Sequence, residues 1–134
     1  MDAKAANTAL QEIISAKMSL ADIDYNDPKY DELEEKLHSL EDVFLAQHGE
    51  AFEDILKDIH DEYCPDNDVL LPIAYLAKKY QITDGNSYSV ANNEGVFVDS
   101  DDYAGKETRL VILPNPVRIV LTIGKDQQET VWSS

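Results

Sequence analysis

Three histidines, one cysteine and 27 carboxylates are the side chains of this 134-residue chain that could do acid–base, nucleophilic or metal chemistry. The tightest pairing is His60 with Cys64. Four residues apart on a helix, the two share a side, as a thiol–imidazole pair requires. Their position works against reactivity. Cys64 stands where Pro65 closes the helix, and the dipole at a helix C-terminus raises a thiol pKa. A structural thiol beside Pro65 is the expectation.

The histidines do not form a metal site by themselves. His38, His48 and His60 are separated by ten and twelve residues. These steps rotate about 280° and 120° around a straight helix, so the three rings cannot share a face. Glu35-x-x-His38 matches half of a di-iron helix motif, and the second half is missing. His48 follows an apolar stripe and is expected to be a partly buried, hydrogen-bonded core residue. His38 and His60 are expected at the surface.

Two acidic loops invite a calcium reading. In Asp22-x-Asp24-x-Asn26 the sixth position is Asp27, where an EF-hand needs glycine, and the twelfth is Leu33, where it needs a bidentate glutamate. Asp99-x-Asp101-Asp102 has Ala104 and Leu110 at those places. An approach to a helix cap and a polar turn explain the two loops more simply, and weak cation binding is the alternative. Glu41, Glu53 and Asp54 read as solvated carboxylates. Phosphate-binding signatures are missing: no G-x-G occurs, and Gly124-Lys125 is followed by Asp126. Gly85-Asn86-Ser87-Tyr88-Ser89 lacks the second glycine of a nucleophile elbow. No cofactor is implied.

The charge says more about partners than about chemistry. With 11 basic residues against its carboxylates the chain carries a net −16. A surface of that sign repels nucleic-acid backbones and anionic membranes. It suits a basic protein surface. Residues 1–64 hold 17 acidic and 5 basic side chains, and residues 65–134 hold 10 and 6. The acidity belongs to the N-terminal half. The lone cysteine forms no intrachain disulfide, the N-terminus does not read as a secretory signal, and the uncharged apolar run Val69–Ala77 falls far short of the roughly 20 residues of a membrane span. A cytoplasmic setting follows as an expectation.

The elements that hold these residues are helices first and strands last. Leu10, Ile13, Ile14 and Met18 keep the 3.6 period, with Asn7 or Thr8 as a cap. A second helix starts with Asp27 at the cap and Pro28 at its first position. Its stripe runs through Tyr30, Leu33, Leu37, Leu40 and Phe44, then Phe52, Ile55, Leu56, Ile59 and Tyr63. Gly49 divides the two stretches. The lack of a good cap after it favours one long, bent helix. Glu32–Lys36 and Glu53–Lys57 are spaced as i,i+4 ion pairs. The short link at 22–27 makes an antiparallel hairpin. After CPDND, Val69–Tyr80 reads as a short buried helix packed on the sheet.

From residue 87 the period changes to two. SYSVAN and GVFVD around Asn93-Glu94-Gly95 read as a hairpin, TRLVIL as a strand, VRIVLTIG as a strand with one buried face, and QETVW as a last strand. The class is α+β: an acidic helical hairpin over 1–64, then a short helix and an antiparallel sheet of four to five strands over 65–134, packed as one unit. The expected function is a non-enzymatic protein–protein interaction module, with Tyr25 and Tyr30 near the hairpin turn as candidate contact residues. The partner is a basic protein or a second copy of the chain. The competing reading is a small enzyme or small-molecule binder with a cleft between sheet and helices.

Overall fold

Helix α1 spans Ala3–Ala21 and begins where Asp2 offers a carboxylate to the amide of Ala5. The helix therefore starts several residues before the expected caps, because Asp2 and the alanine-rich run behind it are a sufficient start. Thr8 lies inside α1 and donates to the carbonyl of Lys4. Asn7 accepts from the amide of Asn115, which ties α1 to a turn of the sheet. The computed structural model describes all residues from Met1 to Ser134.

Helix α2 runs unbroken over Tyr30–Tyr63, 34 residues or about 50 Å. Gly49 sits buried inside it. Asp27 is not its cap. The Asp27 carboxylate accepts from the amide of Lys29, and its carbonyl accepts from Tyr30. Asp27 and Pro28 thus build a turn just ahead of the helix, which starts with no side-chain cap. The i,i+4 pairs do not close either. The one ion pair of the molecule is Arg109–Glu107 at 3.5 Å, so Lys36 and Lys57 stay apart from Glu32 and Glu53.

Strands β1 (Gln81–Thr83) and β2 (Ser87–Ser89) form a small hairpin. Strands β3 (Val96–Val98), β4 (Thr108–Leu113), β5 (Arg118–Ile123) and β6 (Gln127–Ser133) form an antiparallel meander in the order β3-β4-β5-β6. The protein is α+β, with helices first and the antiparallel sheet last.

Three expectations about the second half are corrected. Val69–Tyr80 is irregular apart from one 3-10 turn, Pro72–Tyr75. Pro72 holds Leu71 at φ −60°, ψ 143°, outside the helical region. Beyond the turn, the Tyr80 hydroxyl accepts from Ala77 and donates to the carbonyl of Ile112, which holds the chain against the sheet. The expected hairpin around Asn93–Gly95 does not form. β2 pairs back to β1 through the three-residue connection Asp84-Gly85-Asn86, in which Asp84 and Gly85 have positive φ and the amide of Asn86 donates to the carbonyl of Thr83. β3 pairs forward to β4. Gly95 serves that junction: it has φ +96°, and a Cβ there would collide with the carbonyl of Leu110. Finally, β5 is buried on both faces.

Alternation along the strands explains that double burial. Leu110, Ile112, Ile119 and Leu121 join the main core with Leu10, Ile13, Phe52 and Leu56 of the helices. Val111, Leu113 and Val120 point the other way. Tyr80, Tyr88 and Val90 cover them from the 77–92 segment, together with Ile14 of α1.

Candidate functional site

The sequence-predicted residues fall in separate places and do not form one site. The rings of Tyr25 and Tyr30 meet near the hairpin turn, 5.0 Å apart and tilted by 56°, with Tyr25 78% exposed. Tyr30 is half-buried and lines a cleft with Lys17, Leu20 and Lys78. Asp22, Asp24, Asn26 and Asp27 line an open dimple on the same turn. Asp99 donates its amide to the side chain of Asn67, and Asp101 and Asp102 open a separate 3-10 turn. No group of three or more His, Cys, Asp or Glu, in either loop or elsewhere, is placed to hold a metal ion.

His60 and Cys64 do lie together, in a buried network at the C-terminal end of α2. His60 is 2% exposed, contrary to the expected surface position. The chain folds back across the helix end and covers it. The hydrogen-bond pattern that leaves no polar hydrogen unplaced has His60 Nδ1–H donating to the carbonyl of Asn67 at 3.0 Å. The Tyr75 hydroxyl then donates to His60 Nε2 at 2.9 Å and accepts from the amide of Leu70 at 3.0 Å. The imidazole is fully engaged in fixing residues 67–75 and is not free to act on a thiol. Cys64 is buried and unpaired. Burial, assisted by the charge of Asp99, pushes its thiol up to about 11, the opposite of nucleophile activation. His48 is also buried, against Phe44, and its Nε2 has no hydrogen-bond partner, where a partner was expected. His38 is exposed.

What the structure does assemble is a line of charge. Asp42, Glu50, Asp54, Asp58 and Glu62 lie on one i+4 row of α2, interrupted only by Ala46, and all are exposed. They form a single ridge facing solvent. Over residues 50–68 there are eight carboxylates and one basic side chain, Lys57. None of these carboxylates is in an ion pair. Like charges at i,i+4 destabilise a helix by about 0.2–0.5 kcal/mol per pair. Asp58, Asp61 and Glu62 also sit at the negative end of the α2 dipole.

Beside the ridge lies an apolar ledge that the sequence did not disclose, because Val69–Leu71 reads as core. Leu70 is 44% and Leu71 55% exposed. With Val69 they form one wall of an open trough of about 710 Å³, and Glu53, Asp54 and Lys57 of α2 form the other. Two further troughs follow the outer groove between α1 and α2, over Ala5, Leu40 and Val43 in one and Ser15, Leu33 and Lys36 in the other. Comparison of the chain with protein-family models, curated proteins and solved structures finds no match.

Proposed function

We propose that this protein is a non-enzymatic interaction module that presents the acidic ridge of α2 to a basic protein surface. The observation that carries the reading is the unpaired ridge. Three successive i,i+4 pairs of like charge, Glu50–Asp54, Asp54–Asp58 and Asp58–Glu62, oppose the helix that bears them and form no ion pair within the molecule. A charged strip that weakens its own element is accounted for by a countercharge supplied from outside. Such a strip also steers a basic partner and rejects nucleic acid and anionic membranes by the same Coulomb term. The buried, unpaired Cys64 is compatible with a cytoplasmic setting, and no helix is long and apolar enough to cross a membrane.

The test compares tagged wild-type protein with the variant E50Q/D54N/D58N/E62Q as bait in lysate of the source organism. The expected result is a stoichiometric partner on the wild type, released by moderate salt and missing from the variant. The same set of proteins on both baits, or none on the wild type, contradicts the reading.

A further inference from the structure

We infer that the trough between α2 and the Val69–Leu71 ledge seats the partner's anchor, and that this anchor is a basic amphipathic segment with leucine-like side chains on one face and lysine or arginine on the other. The inference rests on the acidic-ridge reading and adds the apolar half of the recognition.

Two observations carry it. The first is the coincidence of apolar and acidic walls. Leu70 and Leu71 are adjacent, large and substantially exposed, and they face Glu53 and Asp54 across the trough. Asp54 belongs to the ridge, flanked one turn away by Glu50 and Asp58. An apolar patch rimmed by polar charge is how interfaces are built, with a desolvated centre and a solvated rim. The charge selects the occupant. A second copy would bring the same eight carboxylates against these, and an anionic membrane is repelled likewise. The α2 wall also carries Lys57, which leaves it net acidic beside Glu53 and Asp54, so a basic polypeptide satisfies both walls, in the manner of an amphipathic segment laid in a groove.

The second observation is that the ledge is fixed. Leu70 donates its amide to Tyr75, and the same hydroxyl is bound to the buried His60 of α2. Asn67, three residues before, is held by His60 through its carbonyl and by Asp99 through its side chain. The 3-10 turn at Pro72–Tyr75 closes the other side, with Ala74 donating to the carbonyl of Leu71. Exposed leucines on a loop anchored this way lose little conformational freedom when a partner covers them, which favours binding.

The test titrates wild-type protein with a fluorescent synthetic helix of leucine and lysine, leucine on one face, and with an all-lysine peptide as control. The proteins are wild type, L70S/L71S and E50Q/D54N/D58N/E62Q. L70S/L71S is expected to bind the leucine–lysine peptide about tenfold or more weakly. It should bind the all-lysine peptide as the wild type does. The ridge variant is expected to weaken both peptides and to flatten the salt dependence. Backbone amide shifts on binding should cluster at 53–57 and 69–71. Equal binding of the leucine–lysine peptide by L70S/L71S and wild type overturns the ledge, and a simultaneous loss in the ridge variant keeps the acidic-ridge reading intact. No binding by the wild type, or shifts confined to another surface, also overturns the ledge. The capture experiment then decides the ridge on its own.

Discussion

Cys64 shows how far a residue can be read before its surroundings are known. Its spacing from His60 and its place at a helix end were legible: the spacing suits a thiol–imidazole pair, and the helix end predicted an inert thiol. The cause that dominates in the structure is burial, which spacing does not show. His60 and His48 mislead for a related reason. Their exposure depends on which segments return across α2, and the return of residues 64–75 is a tertiary event. The thiol yields a prediction with a definite sign. Its ordinary pKa is 9.0, and in the folded protein it rises to about 11. Between those values the unfolded chain releases a proton that the folded chain keeps, so stability present below pH 9 is lost as pH climbs through the window. Tyr75 and Tyr80, also raised by burial, add the same sign above pH 10. Urea titrations at pH 8, 9 and 10 should show falling stability in wild type, and a shallower fall in Cys64→Ala over pH 9–10. Identical slopes contradict the assignment. Reagents that attack thiolates should react slowly with the native protein at pH 8 and quickly once it is unfolded.

At the scale of elements, periodicity located both long helices and the last three strands, because each repeats its pattern over enough residues to be unambiguous. SYSVAN and GVFVD do hold β2 and β3, but their expected pairing and the helix over Val69–Tyr80 failed where one local feature outweighed the pattern. Pro72 kept Leu71 extended and turned an expected helix into a ledge. The Asp84-Gly85-Asn86 turn, with two residues at positive φ, closed β2 onto β1 in place of a hairpin at Asn93–Gly95. The candidate site was half legible for this reason. Its carboxylates can be counted in the sequence, whereas the leucines beside them were assigned to the core. Gly49 gives the prediction for α2. A Cβ there would meet only Leu45, at 3.7 Å, an ordinary contact. Glycine in a helix interior costs up to about 1 kcal/mol relative to alanine. Gly49→Ala should therefore raise stability by about 0.5–1 kcal/mol in urea denaturation. A loss of stability would show that α2 needs the backbone freedom of glycine at this point.

For the whole molecule the informative quantity is how charge is distributed relative to structure. The two halves carry net charges of −12 and −4, from 17 acidic and 5 basic residues against 10 and 6. Both contribute to one main core, yet the excess lies on the outer side of a single helix and the loop that follows it. The sheet half is stabilised by burial on both faces and owes nothing to that charge. The central claim is that the α2 carboxylates serve an external partner and not the fold. Urea denaturation of E50Q/D54N/D58N/E62Q beside wild type at low salt tests it most directly. Removing three like-charge pairs and two charges from the negative end of the helix dipole should stabilise the protein by about 1 kcal/mol, with the gain shrinking as salt is added. A variant less stable than wild type would mean that these carboxylates hold the structure together, and the claim would fail.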